Sequence, residues 1–147
     1  MSKSPEIPYE TTLLVRDFCL CLHVQRAART LARRFDDALR PSGLTSGQFS
    51  LLMSLNRPEP PSIKSVSALL AVDRTTLTAN LKPLERRGLL EVAVDPADRR
   101  GRLLSLTPAG SALLKKAVPI WERTHATIEG SLPGGGDALR SALGAIS

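Results

Sequence analysis

The stretch RTTLTANLKPLERRGLLEVAVDPADRRGR, residues 74–102, decides the fold of this chain. Its first half reads as a polar-faced helix that a glycine ends. Beyond that glycine the apolar period falls from about 3.6 to about 2 residues, which predicts strands at 89–94 and 102–106. Asp95 and Pro96 are suited to open the turn between the strands. The stretch therefore predicts a helix followed by a β-hairpin with an arginine-rich tip.

A second helix is predicted just before this stretch. Ser62 can cap it, and its apolar residues end near Leu70. Asp73 can cap the helix that begins at Arg74, so only residues 71–73 separate the two helices. Two helices joined by so short a turn are typical of a helix-turn-helix, and a hairpin directly behind them is typical of a wing.

The N-terminal segment is also predicted to be helical. Apolar residues at three- and four-residue steps predict one long amphipathic helix over about residues 9–39, which the following proline and glycine stop. Thr45 and Gln48 then form a capping-box signature. The next helix along the chain is expected to begin at this capping box and to end near Asn56.

The C-terminal segment is predicted to form two helices. Thr107 caps the first, and Pro108 occupies its first position, where the missing N–H costs nothing. Residues 131–136 form a flexible break before a short helix over 137–146. The chain is therefore predicted to be mainly α with a small β-hairpin, and its 147 residues suit one structural domain.

Composition restricts the classes of protein to which this chain can belong. Lys and Arg outnumber Asp and Glu by 20 to 14, and the net charge of +6 favours polyanionic partners. Residues 1–10 lack the apolar core of a signal peptide, and no apolar run reaches the roughly 20 residues that span a bilayer. We therefore expect a cytoplasmic protein with no membrane partner. Cys19 and Cys21 form no disulfide framework, which fits a reducing compartment.

No pattern indicates an enzyme, a cofactor or a metal site. The chain has no glycine-rich phosphate loop, no acid pair at helical spacing near a histidine and no serine in a strand-to-helix elbow. Cys19 and His23 are four residues apart, but no third group is evident to orient the histidine. A metal site from Cys19, His23 and His125 has suitable ligand types without a spacing signature. We expect no catalytic residues, no metal ligands and no cofactor.

Two blocks of the sequence resemble the MarR family of winged helix-turn-helix transcriptional regulators: DRTTLTANLKPLERRGLL at 73–90 and DPADRRGRLLSLTPAG at 95–110. The second block is the more specific, because its acid, paired arginines and Leu-Thr step reproduce the family's wing and the start of the next helix. The resemblance implies a homodimer, commonly controlled by phenolic or other anionic ligands or by oxidation. It also implies that residues 1–44 form an N-terminal dimerisation helix, 45–106 a DNA-binding winged helix-turn-helix, and 107–147 the C-terminal dimerisation helices.

A polar helix of major-groove width followed by mobile guanidinium groups suits double-stranded DNA. Arg74 can reach a guanine edge or hold a phosphate, and the short side chains of Thr75 and Thr76 suit base edges. The polar residues that start the preceding helix are plausible phosphate anchors, because helix N-termini attract anions. The predicted DNA-binding residues are Ser62, Lys64, Ser65, Arg74, Thr75, Thr76, Thr78, Asn80, Lys82, Asp98, Arg99, Arg100 and Arg102.

The predicted wing offers a further contact. Asp98 and Arg100 are two residues apart in a segment expected to be extended, so both side chains project to one side and the carboxylate can brace the guanidinium. The family pattern places that arginine in the minor groove. Arg99 and Arg102 are predicted to contact phosphates.

Pro83 departs from the family pattern, because most relatives continue here with a helix former. Its ring removes the hydrogen bond to the carbonyl of Ala79 and is expected to kink the helix after its second turn. The kink is expected to alter how Glu85, Arg86 and Arg87 are presented. Those two arginines are otherwise interpreted as a solvated helix end that the macrodipole favours.

An effector pocket is predicted between the helices, with a small aromatic or anionic ligand as the expected occupant. Its predicted lining residues are His23, Arg26, Met53 and Trp121. Met53 and Trp121 can equally be core residues, so the pocket is a hypothesis beside ordinary packing.

The sequence thus predicts a ligand-responsive repressor that binds, as a homodimer, a pseudopalindromic operator with half-sites about one helical turn apart. Two alternatives stay open. Cys19 and Cys21 lie about 200° apart on a single helix, so they can act as a redox sensor through disulfides between subunits, or can simply fill an apolar face. A winged helix that binds only proteins is the other alternative, although it would not need arginines at the wing tip.

Overall fold

The structure is a computed structural model that describes residues 6–147. In chain order these residues form α1 (Tyr9–Phe18), α2 (Leu20–Leu39), a 3-10 turn (Arg40–Ser42), α3 (Ser46–Ser54), α4 (Ile63–Leu70), α5 (Arg74–Arg86), β1 (Leu90–Val94), β2 (Arg102–Leu106), α6 (Pro108–Gly130) and α7 (Gly135–Gly144). The predicted fold class, mainly α with a two-stranded antiparallel hairpin, is confirmed. No helix in the described range has the length and apolar content to cross a bilayer.

The predicted single helix over residues 9–39 is wrong, because the chain leaves the helical conformation at Cys19. This residue is extended, with φ −68° and ψ 109°. Its sulfur accepts a hydrogen bond from the backbone N–H of Leu22 and so caps the start of α2, while its own N–H ends α1 by donating to Val15 O. The apolar residues keep their helical spacing across the break. That spacing predicts which face is apolar, but it does not show whether the helix is interrupted.

The helix caps predicted from the sequence are present. Thr45 and Gln48 make both hydrogen bonds of a capping box at the start of α3. The side chains of Ser62, Asp73 and Thr107 each accept a hydrogen bond from the N–H three residues ahead, at the starts of α4, α5 and α6. Each cap satisfies a backbone donor that the helix itself leaves without a partner. These caps fix where the helices of the helix-turn-helix and its flanks begin.

The core lies where α3, α4 and α5 meet the hairpin and the adjoining parts of α2 and α6. Leu77, Leu81 and Leu84 follow one face of α5 at helical spacing and are almost completely buried. The largest side chains that are fully buried are Leu39, Leu52, Leu77, Leu84, Leu90, Leu104 and Val66. Because the apolar face of α5 is used for packing, its opposite, polar face is left toward solvent.

The hairpin is tied to the beginning of α4 as well as to itself. Strands β1 and β2 pair antiparallel with Leu90 opposite Leu106 and Val94 opposite Arg102. Leu104 N donates to Pro61 O at 2.9 Å, and Ser62 forms an isolated antiparallel bridge with Leu103. This extra bridge was not predicted from the sequence. It fixes the wing against the helix-turn-helix.

Gly110 allows α6 to pack directly on the start of the hairpin. A Cβ atom at this position would lie 2.0 Å from Leu89 O, so any larger residue would collide with backbone. Nearby, the Thr107 hydroxyl donates to Gly88 O at 2.6 Å, and Thr107 N donates to Leu89 O at 3.2 Å. The start of α6 is therefore joined to the residues that directly follow α5.

Candidate nucleic-acid interface

The polar face of α5 is fully presented to solvent. Asp73 caps the helix through two bonds to one residue: Oδ1 accepts from Thr76 N at 2.7 Å, and Oδ2 accepts from the Thr76 hydroxyl at 2.8 Å. These hydrogen bonds, with the backbone bond as the largest contribution, hold the pKa of Asp73 below its usual value. The exposed residues on this face are Arg74, Thr75, Thr76, Thr78, Asn80 and Lys82.

Two threonine hydroxyls on this face are already engaged within the protein. The Thr76 hydroxyl donates to Asp73, and the Thr78 hydroxyl donates to Arg74 O at 2.8 Å. Both residues are nevertheless exposed. The hydroxyl protons of these two residues are thus used in holding the first turns of α5, which leaves acceptor and apolar contacts for a base edge.

Pro83 does not end α5, which runs unbroken from Arg74 to Arg86. The expected bend at Pro83 stays a prediction. Pro83 and Asn80 line a cavity of about 470 Å³ between α3 and α5, which the sequence did not indicate. After the helix ends, the Arg87 guanidinium donates to Gly43 O at 3.0 Å, so Arg87 is exposed but anchored.

At the start of α4, two of the predicted phosphate anchors bond to each other. Ser62 Oγ accepts from Ser65 N at 3.1 Å, and Ser65 Oγ donates to Ser62 O at 3.0 Å. Lys64 lies between them and is exposed. Within residues 6–147, its ammonium forms no ion pair with an acidic side chain. Lys64 is thus the side chain at this end that remains available to a polyanion.

The predicted brace between the side chains of Asp98 and Arg100 is wrong. Asp98 Oδ1 accepts a hydrogen bond from the backbone N of Arg100 at 3.0 Å, and not from its guanidinium. The reason is that the segment is not extended: Asp98 N donates to Asp95 O, and Gly101 N donates to Asp98 O, which closes two successive turns. Alternation of side chains does not apply in a turn. Asp98 shapes the backbone of the wing tip, and Arg99 and Arg100 are exposed.

Arg102, predicted as a phosphate contact, is directed at the wing's own backbone. Its Nη1 donates to Arg99 O at 3.2 Å and to Gly101 O at 3.0 Å. From the first turn of α5, Arg74 Nη2 donates to Arg100 O at 3.4 Å. The structure therefore brings the start of α5 and the tip of the wing together. No sequence pattern had indicated these contacts to the wing carbonyls.

The predicted effector pocket is divided between two cavities. His23 and Arg26 line a cavity of about 490 Å³ between α2, α6 and α7, with Arg34 as a further cation on its wall. Met53 and Trp121 line another, of about 430 Å³, between α3, α4 and α6. The prediction that all four residues line one pocket is therefore wrong within a single chain. The reason is that the middle of α6 lines one cavity and its C-terminal end lines the other.

The cysteine and histidine side chains do not gather into a metal site. Cys19 is partly buried and Cys21 exposed, and both thiols are free. The His23 ring lies 2.7 Å from the Cys19 carbonyl oxygen through Nδ1, and the His125 ring stacks on Trp121. Within residues 6–147, no group of three or more His, Cys, Asp or Glu side chains is arranged to hold a metal ion.

Comparisons with known proteins agree with this geometry. The MarR family model matches residues 44–101. The organic hydroperoxide resistance transcriptional regulator of Bacillus subtilis is 32% identical over 101 residues, which is 69% of this chain and 69% of that protein. In the curated relatives that are most similar to this chain, the matched region covers between 51% and 69% of their length.

Solved structures match over more of the chain. The transcriptional regulator MosR of Mycobacterium tuberculosis, in complex with DNA, is 38% identical, with a TM-score of 0.81 over 88% of this chain and 93% of that one. BpsR of Bordetella bronchiseptica, whose DNA binding is regulated by 6-hydroxynicotinic acid, is 32% identical, with a TM-score of 0.71 over 86% and 89%. An exposed polar helix, a braced wing and these likenesses have one explanation: the chain belongs to the MarR family of winged-helix, DNA-binding transcriptional regulators.

Proposed function

We propose that this protein is a ligand-responsive repressor that binds a pseudopalindromic operator as a homodimer. The observation that carries the proposal is the hydrogen bond from Arg74 to Arg100 O, because it joins the exposed face of α5 to the wing tip on one surface. A surface of this kind can address the major groove with a helix and the adjacent minor groove with an arginine. Membership of a family of regulators agrees with the prediction that the chain is not an enzyme.

The proposed DNA contacts divide by chemistry. Arg74 is assigned to a guanine edge or a phosphate, and Arg100 to the minor groove. The smaller residues of α5, Thr75, Thr76, Thr78 and Asn80, are assigned to base edges in the major groove. Five further predicted residues are assigned to the phosphate backbone: Ser62, Lys64, Ser65, Lys82 and Arg99. Asp98 is assigned to shaping the wing tip.

Unburied apolar side chains near both termini support a homodimer. Helix α1 buries none of its residues, although it is amphipathic. Phe18 and Leu20 are 73% and 74% exposed at its junction with α2, and Ile146 is 70% exposed at the other terminus. Several large apolar side chains left exposed outside the winged region favour a second copy as the partner that covers them.

A two-fold dimer has two copies of α5, and the operator is therefore expected to contain two inverted half-sites about one helical turn apart. We infer that an effector changes the separation of the two helices, so that both can no longer enter successive major grooves. Such a change requires different effector affinity in the two states. A protein that occupies chromosomal operators is expected to act in the cytoplasm.

The cavity that His23, Arg26 and Arg34 line is the favoured effector site. Three basic or potentially basic side chains face it, while Ile128, Leu132 and Leu139 supply apolar walls. This combination suits a small aromatic acid, since the ring can contact the apolar wall and the carboxylate a guanidinium. The cavity beside Met53 and Trp121 is lined mainly by apolar residues and suits a neutral ring instead.

A thiol-based repressor is a second candidate, for which two observations can be named. Cys21 is exposed two residues from the helix break at Cys19. The relative in Bacillus subtilis is named as a regulator of organic hydroperoxide resistance. If this candidate applies, cumene hydroperoxide produces a disulfide-linked species on non-reducing electrophoresis and releases DNA, and a Cys21→Ser variant loses both responses.

The test of the proposed function is footprinting and gel-shift titration on the DNA upstream of the protein's own gene. We expect protection of an inverted repeat, and a loss of affinity of about tenfold or more for Arg100→Ala, if the contact is worth as much as the roughly 1–3 kcal/mol typical of an arginine that contacts a base edge. Arg123→Ala is the matched control, because it removes one exposed guanidinium from α6. Equal affinities for the two variants, or a salt dependence no steeper than that of a non-binding protein, would refute the proposal.

A further inference from the structure

The tip of the wing is a strongly braced piece of backbone. Asp95 N donates to Gly101 O at 3.1 Å, and Gly101 N donates to Asp98 O at 2.8 Å. The two carboxylates of the tip each accept from a backbone N–H two residues ahead, Asp95 from Ala97 and Asp98 from Arg100. The N–H groups of residues 95, 97, 98, 100 and 101 thus all have acceptors within the tip.

Three backbone carbonyls of the tip also accept hydrogen bonds from arginine side chains. Arg102 Nη1 spans the carbonyls of Arg99 and Gly101, and Arg74 Nη2 reaches the carbonyl between them. Three successive carbonyl oxygens therefore face guanidinium groups. Arg102 is half-buried against the hairpin, whereas Arg99 and Arg100 are exposed.

We infer that Arg102 is a positioning residue, and that it prepares the wing for DNA without contacting the DNA. This inference rests on the proposed role of Arg100 in the minor groove. By holding the carbonyls of residues 99 and 101 on one side, Arg102 keeps the Arg99 and Arg100 side chains on the accessible side. Arg74 supports the same arrangement from α5 and so sets the distance between the wing tip and the helix that enters the major groove.

Two physical effects make this arrangement useful. Carbonyl oxygens carry partial negative charge, and if they faced the DNA they would repel the phosphates that line the narrow groove. A tip that is ordered before binding also avoids the entropy loss of ordering it on the DNA. A lysine at position 102 would keep the charge but lose the rigid, planar guanidinium that holds Nη1 between the two carbonyls.

The first experiment uses the full chain without DNA. Solvent exchange of the Arg100 and Gly101 amides is measured by NMR in the wild type, Arg102→Met and Arg99→Met. Arg99 is the matched control, because among the contacts found in residues 6–147 its side chain donates no hydrogen bond. We expect exchange about fivefold faster in Arg102→Met and unchanged in Arg99→Met, since a hydrogen bond of ordinary strength corresponds to about that factor. Unchanged exchange in Arg102→Met would overturn the inference.

The second experiment is a double-mutant cycle on DNA affinity. We expect Arg102→Met to weaken binding about tenfold in the wild-type background but less than twofold in an Arg100→Ala background, because it acts through Arg100. A direct phosphate contact would instead give the same factor in both backgrounds, which would overturn the inference. If Arg102→Met fails to fold, Arg102→Lys replaces it, and wild-type affinity together with fast exchange in that variant would also overturn it.

The two experiments separate this inference from the proposed function. If Arg100→Ala binds DNA as well as the wild type, the proposed minor-groove contact is wrong, and the exchange measurement still decides whether Arg102 orders the tip. If Arg100→Ala is weak and Arg102→Met is additive with it, the proposed contact holds and the positioning role fails.

Discussion

Arg87, at the C-terminal cap of α5, donates a hydrogen bond from Nη1 to the carbonyl oxygen of Gly43, 3.0 Å away. Gly43 closes the turn that follows α2 and has a positive φ of 73°. The bond therefore joins the end of α5 to the turn that follows α2, a long helix outside the winged region. It is a physical link between α2 and the helix that is proposed to read DNA.

Loss of this link is expected to lower stability modestly. Arg87→Met removes the guanidinium but keeps most of the aliphatic stem, and should lower the free energy of unfolding by about 1 kcal/mol. Arg86→Met is the control, because the one hydrogen bond found for its side chain within residues 6–147 is to Lys82 O, in its own helix. Urea denaturation followed by circular dichroism measures both. Equal stability of the two variants would mean that the bond to Gly43 contributes nothing.

Gly110 is expected to be the least replaceable glycine in the described chain. Gly110→Ala places a Cβ atom 2.0 Å from Leu89 O, and the buried backbone on both sides must move apart. We expect a loss of roughly 2–4 kcal/mol in the free energy of unfolding. Gly130→Ala is the matched control on the same helix, since nothing lies within 4 Å of its added Cβ atom. Thermal unfolding should show a large fall for the first variant only, and similar melting temperatures would contradict the packing described.

The cap of α5 is expected to make stability depend on pH in the acid range. The folded-state pKa of Asp73 is lowered from 3.8 by its hydrogen bonds to Thr76. A lowered pKa means that the ionised cap stabilises the folded state above about pH 3.8, and that this contribution disappears as the pH falls through the folded-state pKa. Asp73→Asn should therefore be less stable than the wild type at neutral pH, and the difference should shrink in acid. A difference that stays constant with pH would rule out this assignment.

The two cavities are expected to differ in their response to charge. With benzoate as the probe, Arg26→Met should raise the concentration needed to release half of the DNA by about tenfold, because a charge-assisted hydrogen bond is lost. Affinity for DNA without benzoate should stay the same. Arg33→Met is the control, since Arg33 lies on the same helix but outside the cavity lining. A loss of response in Met53→Ala, with none in Arg26→Met, would place the effector in the other cavity.

The sequence by itself determined the elements whose causes are local. The starts of α3, α4, α5 and α6 were predictable because each cap joins a side chain to a backbone N–H three residues away. The hairpin was predictable because its turn residues and its alternation lie within one short stretch. The exposed face of α5 followed from the leucines on its opposite face, and the family followed from the wing motif.

Only the tertiary structure decided what depends on residues far apart in the chain. The bond from Arg74 to Arg100 O spans 26 residues, and that from Arg87 to Gly43 O spans 44. No local period records such contacts, so Arg87 was interpreted as a solvated helix end and Arg102 as a phosphate contact. The division of the effector residues into two cavities depends likewise on how α6 passes the other helices. Local hydrogen bonds and apolar periods depend on residues that are close together in the sequence. The direction of a long side chain depends instead on the backbone that folding places beside it.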